Sequence, residues 1–309
     1  MIQPIKPHSA ADLLSIFDDR RTFMSKSLAG IDKETKLLQR ELLEMLTNSV
    51  IDKLTTVDGK LVLDGMSLVE VGDIDARITE LMNVNMATFF KPIGRDMLNL
   101  TTYSAEYFTA VGFAKSQIND IVKTFDLIEN SVGITRKGTV IQGGFIATLA
   151  QAEPLKQEIK EFVTSNLANG TELTKFKQKF KTLIEGKKDV DGRLQAYTGQ
   201  YVHDTMYQVE AATDAHFADT LGMKYFLYVG SIIDTTREFC KKKLERKVWS
   251  IEEANTEWWN DPALLKASND SRANYNPLID RGRWNCRHRI RFITDAQAKD
   301  YGHPDFINE

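Results

Sequence analysis

The hydrophobic pattern of the first 131 residues predicts one amphipathic helix after another. Apolar side chains such as Leu13 and Phe17 recur at helical spacing, and Gly30 is placed to end the first of these helices. Stripes of this kind indicate helix–helix contacts within a core rather than a cofactor site. Further stripes at the same spacing cover residues 37–54, 74–90 and 103–128.

Turn residues divide the rest of the helical region. The Asp58-Gly59 pair lies between two short β-prone stretches and predicts a small hairpin. A glycine-rich stretch at residues 133–144 is the first candidate domain boundary. Shorter helices follow, and then a long helix is predicted at about residues 193–221, which Gly222 ends.

The pattern changes after Gly222. Residues 224–229 are aromatic and β-branched and predict a strand, and residues 284–293 predict another. Two S/T-x-x-E sequences, beginning at Thr235 and Ser250, have the form of capping boxes that open short helices. The expected fold class is therefore α+β, with a mostly α-helical N-terminal region followed by a small C-terminal α/β module.

Three consecutive domains follow from these boundaries. We expect a helical domain that contacts a partner, then a helical connector, and then the α/β module, which is called the C-terminal module below. Their limits are residues 1–135, 136–222 and 223–309.

The composition narrows the class of protein. The 309 residues are 42% hydrophobic and 27% charged, which is typical of a globular protein. The 43 acidic and 40 basic residues give a net charge of −3, which excludes a uniformly basic nucleic-acid-binding protein but not a local basic patch. There is no signal-peptide pattern and no apolar run near the roughly 20 residues of a membrane span. Two cysteines predict no disulfide, so we expect a soluble intracellular protein without a membrane partner.

The motifs of common enzymes are absent. Residues 133–139 have the glycine spacing of a phosphate loop but lack the lysine that must follow the second glycine. Residues 189–192 begin like a calcium loop, but the glycine comes two positions early. His203 and His216 point to different sides of one predicted helix and cannot easily share a site. We expect no catalytic residue, no cofactor and no enzymatic activity.

Five arginines and no acid stand in residues 281–292. If residues 286–292 form a strand, alternation places Cys286 and His288 on the core face and a row of arginines on the other face, pointing outward. The row either contacts phosphates or an acidic protein surface, or is a solvated face paired with nearby acids, and both interpretations stay open. The row consists of Arg287, Arg289 and Arg291, and Arg281 and Arg283 add to the same positive field.

Cys240, Cys286 and His288 supply three candidate zinc ligands. A fourth ligand is missing from the local sequence, and a structural zinc site normally shows two close ligand pairs. We therefore expect two buried thiols beside a hydrogen-bonded histidine in the C-terminal core, without a metal.

Two short elements of the C-terminal module form a recognisable succession. In the first, Thr236 and Arg237 are followed by Cys240. The second runs through Trp284, Asn285, Cys286, Arg287 and His288. Together with the preceding long helix and strand, they resemble the phage Mu F-like head morphogenesis (minor capsid) family. The resemblance covers roughly residues 171–293.

The resemblance implies a minor structural component of a tailed-phage head. Such a protein is present in several copies per particle, in the head or head–tail connector, after assembly in the host cytoplasm. Its partners are portal and capsid proteins, which the N-terminal helices would contact, and its role lies in head assembly, DNA packaging or DNA release. The arginine row could contact packaged DNA without sequence preference. Two alternatives are a sequence-independent nucleic-acid-binding protein and a phage-borne effector enzyme.

Overall fold

The computed structural model describes residues 10–266, 270–283 and 286–306, with side chains from residue 15 onward. Of the predicted motif residues, Trp284 and Asn285 lie outside the described residues. The chain is 68% helical with small antiparallel sheets, so the α+β class with a C-terminal α/β module is confirmed. No described helix is both long and apolar enough to span a membrane.

Nine helices precede the C-terminal module in the described part of the chain. They are α1 (Ala10–Ser49), α2 (Gly65–Val84), α3 (Lys91–Val111), α4 (Lys115–Val122), α5 (Asp126–Val132), α6 (Phe145–Gln151), α7 (Glu153–Ala168), α8 (Leu173–Glu185) and α9 (Arg193–Thr220). A π-helical turn, Met86–Phe90, leads into α3. The long helix predicted before Gly222 is thus confirmed as α9, and Gly222 has the positive φ of 67° expected of a helix stop.

Helix α1 continues through Gly30 instead of ending there, so the predicted helix end is wrong. Ile31 and Leu38 are buried on the following turns, and the apolar stripe therefore extends past the glycine. Glycine inside a helix costs only about 1 kcal/mol relative to alanine. Burial along the stripe outweighs this low helix propensity.

Two small hairpins interrupt the helices. Strands β1 (Thr56–Val57) and β2 (Lys60–Leu61) pair across Asp58 and Gly59, whose φ angles of 51° and 73° fit the predicted turn. Strands β3 (Gly186–Lys187) and β4 (Val190–Asp191) form the second hairpin. The stretch that begins like a calcium loop therefore lies in this hairpin.

The C-terminal module contains a three-stranded antiparallel sheet with the strand order β6-β5-β7. Its elements are β5 (Tyr225–Val229), α10 (Glu238–Arg246), β6 (Val248–Ser250), α11 (Ile251–Glu257), α12 (Pro277–Asp280), β7 (Arg289–Ile293) and α13 (Asp295–Asp300).

The capping-box expectation is confirmed at one position and wrong at the other. Ser250 accepts a hydrogen bond from the Glu253 N–H, and the Glu253 carboxylate accepts one from the Ser250 N–H, which opens α11. Helix α10 begins without such a box, because its N-cap residue is Arg237. The Thr236 hydroxyl instead accepts a hydrogen bond from the Ile233 N–H in the preceding loop. Strand β7 is also shorter than the predicted strand.

Both faces of the sheet are covered by side chains. On one face, the indole of Trp258 is fully buried and meets Phe226, Tyr228 and Trp249 edge to face at centroid distances of 5.3–5.7 Å. The opposite face carries a second apolar cluster. Its buried members are Tyr225, Leu227, Val248, Ile293 and Ala298.

Contacts divide the chain into two compact units, each built from separated segments. One unit contains the start of α1 up to Met24, Met97–Glu129 and His203–Glu309, and the other contains Ser25–Asp96 and Asn130–Val202. This division differs from the three consecutive domains expected from sequence, because α1, α3, α5 and α9 each have residues in both units. The C-terminal module belongs to the first unit.

A buried charge cluster joins three elements of the first unit. The guanidinium of Arg20 on α1 contacts Glu210 at 2.8 Å and Asp214 at 3.0 Å, both on α9. Arg289 of β7 approaches the other Glu210 oxygen at 3.4 Å. Burial raises the pKa of Asp214, and the positive charge of Arg20 opposes that rise.

We expect Arg20→Met to lower the free energy of unfolding by about 3–5 kcal/mol, because Glu210 and Asp214 would stay buried without their shared cation. Arg21→Met is the matched control: Arg21 lies on the next position of α1, its side chain is 73% exposed, and it pairs with the similarly exposed Asp18. We expect this control to change stability by less than about 0.5 kcal/mol. Urea denaturation measures both values, and equal stabilities of the two variants would contradict this account of the cluster.

Candidate functional site

Cys240, Cys286 and His288 meet in the C-terminal module, and we call them the thiol–histidine cluster. Cys240 lies in the first turn of α10, whereas Cys286 and His288 lie on the segment that leads into β7. All three side chains are buried. The sequence predicted that the three residues lie close together in the C-terminal core, and the structure places them together as expected.

The distances within the cluster are short. The two sulfur atoms are 3.9 Å apart, and the Cys286 sulfur is 3.7 Å from Nδ1 of His288. The hydroxyl of Tyr228, on β5, lies 3.5 Å from both sulfurs and donates to Cys240. The Tyr228 and His288 rings stack at 5.4 Å with an interplanar angle of 20°. The cluster is therefore enclosed by β5 on one side.

Two glycines allow this close approach. A Cβ atom on Gly282 would lie 2.5 Å from the Cys240 sulfur and 3.1 Å from the Cys286 sulfur. A Cβ atom on Gly230 would lie 2.4 Å from Cδ2 of His288. A side chain at either position would occupy the space that the cluster fills.

Two arginines hold the backbone around the cluster. Arg237 donates a hydrogen bond to the Gly282 carbonyl at 2.6 Å, so it ties the start of α10 to the loop beside the sulfurs. Arg237 therefore has an internal structural contact. Arg281 is buried and donates to the carbonyls of His288 at 3.0 Å and Tyr207 at 3.3 Å.

The surroundings shift the pKa values of the two thiols in opposite directions. The hydrogen bond with Cys240 lowers the pKa of the Cys286 thiol against the effect of burial, and His288 and the positive charge of Arg281 lower it further. The same hydrogen bond, together with burial, raises the pKa of Cys240.

A pocket of about 630 Å³ borders the cluster. All three members of the cluster line it, and the other wall carries hydroxyl and basic side chains. The principal wall residues are Ser231, Thr235, Thr236, Arg237 and Arg287. The two motif elements of the sequence therefore border one pocket.

The ring nitrogens of the buried His288 lack good hydrogen-bond partners. Its Nε2 atom is buried and has no hydrogen-bond partner among the described residues. Its Nδ1 atom has the Cys286 sulfur as a neighbour at 3.7 Å, and sulfur is a weak hydrogen-bond partner. Buried polar groups without good partners are rare, and an ion or water is a common reason for one. The expectation that this histidine is hydrogen-bonded is therefore met only in part.

The arginine row points outward only in part. Alternation holds within β7, since Ile290 and Phe292 are buried on one face and Arg289 and Arg291 stand on the other. That second face is covered as well, and Arg291 lies 3.4 Å above the ring of Phe17 on α1. The outward expectation is therefore wrong for Arg289 and Arg291, because both faces of the sheet are covered, whereas Arg287 is exposed as expected.

The other arginines of the set differ from one another in burial and in their partners. Arg281 is buried beneath the cluster, and Arg283 pairs with Asp270 at 2.5 Å. Arg289 takes part in the buried charge cluster described above. Arg287 is the exposed member of the five and lines the pocket. Four of the five arginines therefore have structural partners within the chain.

Sequence reasoning missed the residues that enclose the cluster. Tyr228 stood only within the predicted strand at residues 224–229, and Gly282 was not singled out. Their role depends on contacts between segments that are distant in the chain. The available signal for Gly282 was its position in the sequence, close to a cysteine and an arginine of the second motif element.

Comparison of the chain with protein-family models, with curated proteins and with solved structures found no match.

We expect the double substitution Arg289→Ser and Arg291→Ser to lower the free energy of unfolding by about 2–4 kcal/mol, because it removes a partner of Glu210 and the cation above Phe17. Arg287→Ser is the matched control on the same segment, and its effect should stay within about 0.5 kcal/mol. Chemical denaturation of the full chain measures both. A double variant as stable as the control would restore the interpretation of the row as a solvated face.

Proposed function

We propose that the chain is a structural minor head protein of a tailed phage. It associates with portal and capsid proteins and assists head assembly, DNA packaging or DNA release. One observation carries the proposal: the two motif elements on which the family resemblance rests border the same pocket. Cys240 and Cys286 are 46 positions apart in the chain, yet their sulfur atoms are 3.9 Å apart.

The contacts of the motif residues support a structural role. Arg237 holds the Gly282 carbonyl, and the Thr236 hydroxyl holds the turn of the preceding loop through the Ile233 N–H. Both side chains thus stabilise the walls of the pocket. The proposal assigns no reaction to the chain.

The loop beside the pocket supports contact with a partner protein. Ile232 and Ile233 are 60% and 61% exposed, and the exposed Arg287 lies on the wall of the same pocket. Apolar side chains next to an arginine are typical of protein–protein interfaces. This surface is the part of the C-terminal module that we assign to the portal or capsid contact.

The alternative of sequence-independent nucleic-acid binding loses much of its basis. It depended on a row of free arginines, and four of the five are engaged with carbonyls, carboxylates or an aromatic ring of the chain itself. A single exposed arginine gives few phosphate contacts, and binding without sequence preference requires several. Contact with packaged DNA is therefore not part of the proposal.

The proposal predicts that the protein is incorporated into phage particles. Proheads and mature virions are purified from the phage or induced prophage that encodes the chain, and their proteins are quantified by mass spectrometry. We expect several copies per particle, at a level well below that of the major capsid protein and comparable to that of the portal protein.

An abundant host cytosolic protein serves as the contamination control, and its signal should fall with each purification step while that of the chain does not. Absence of the chain from both proheads and virions would contradict the assignment. Presence in proheads alone would retain the assembly role and remove the role in DNA release.

A further inference from the structure

The thiol–histidine cluster has the geometry of a metal site. Two sulfur ligands at the usual Zn–S distance of about 2.3 Å lie about 3.8 Å apart in a tetrahedral complex. The sulfur atoms of Cys240 and Cys286 are 3.9 Å apart. A sulfur and an imidazole nitrogen on the same ion lie about 3.6 Å apart, and the distance from Cys286 to His288 Nδ1 is 3.7 Å.

The chemistry of the donor set selects the metal. Two thiolates and an imidazole are soft to borderline ligands, which suit zinc and exclude the oxygen-seeking Ca²⁺ and Mg²⁺. The three ligand atoms all lie within 4.8 Å of one another. Two of the three ligand-to-ligand distances already fit a shared ion, and the Cys240 sulfur and the His288 ring would have to come closer together to complete the site.

The surroundings of His288 Nδ1 also fit a ligand of the ion. The Cys286 sulfur beside it is a weak hydrogen-bond partner. A metal ion on Nδ1 would give this nitrogen a strong partner, whereas the unpartnered Nε2 would not contact that ion. Gly282 keeps the space beside the two sulfur atoms clear of a Cβ, and Gly230 does the same beside the His288 ring.

We infer that Cys240, Cys286 and His288 bind one zinc ion, whose fourth ligand is a water molecule from the adjoining pocket. All three protein ligands line that pocket, so an ion held between them borders it. Three protein ligands and a water complete a tetrahedral zinc site. The ion joins the start of α10 to the segment before β7, and this inference does not depend on the proposed phage function.

The test measures the metal content of the full-length chain purified from cells supplied with zinc. We expect about one zinc ion per chain, loss of the ion on treatment with a chelator, and a lower midpoint of thermal unfolding that added zinc restores. Replacement of zinc by Co²⁺ should give the intense ligand-field bands of a tetrahedral site and the charge-transfer bands of cobalt–thiolate bonds.

Two variants and a matched control assign the ligands. Cys286→Ser and His288→Gln should each weaken zinc binding by at least about tenfold. His216→Gln removes a histidine whose Nε2 contacts the Thr124 hydroxyl at 2.8 Å, and it should keep the full zinc content. Circular dichroism establishes that each variant is folded before its zinc content is compared.

The wild-type protein alone can overturn the inference, whether or not the variants fold. A folded wild-type chain that holds no zinc, with its two thiols free or joined in a disulfide, would contradict it. Zinc retained by a folded Cys240→Ser, Cys286→Ser double variant would contradict it as well. Either result would leave the proposed head function open, since that proposal is tested by the composition of particles.

Discussion

The close approach of Cys240 and Cys286 is the constraint around which the C-terminal module is arranged. Their sulfur atoms are 3.9 Å apart although they come from separate segments. Gly282 leaves room for both sulfurs, and Arg237 fixes the Gly282 carbonyl. Arg281 in turn fixes the backbone at His288. A larger side chain or a lost hydrogen bond at any of these positions would move the two motif elements apart. The contacts therefore depend on one another.

The packing of the same module explains why its arginines do not all point outward as their sequence pattern suggests. A small sheet is stable only when an apolar face is buried or when it packs against a helix. Here both faces are covered, and Arg289 and Arg291 are directed into the covered side. Arg289 reaches Glu210, which also pairs with Arg20, so the arginines contribute to the fold through buried partners. Burial of this kind favours a structural role for them over contact with nucleic acid.

Local signals were sufficient for much of the fold. The Asp58-Gly59 hairpin, the helix stop at Gly222 and the capping box at Ser250 each depend on residues within a few positions, and each was predicted. The continuation of α1 through Gly30 was not predicted, because it depends on the burial of residues on the following turns. The direction of the arginines was missed for the same reason, since alternation gives the face of a strand but not what covers that face. For the cluster, alternation paired Cys286 with His288, whereas its enclosure by Tyr228 and Gly282 required the tertiary structure.

In this account, the two motif elements form one metal-binding site that joins the start of α10 to the segment before β7. A crystal structure of the full-length protein, with anomalous diffraction data collected on both sides of the zinc absorption edge, tests it most directly. The account predicts a single anomalous peak within about 2.3 Å of the sulfur atoms of Cys240 and Cys286 and about 2.1 Å of Nδ1 of His288. No peak at this position, with the sulfur atoms separated or joined in a disulfide, would contradict it.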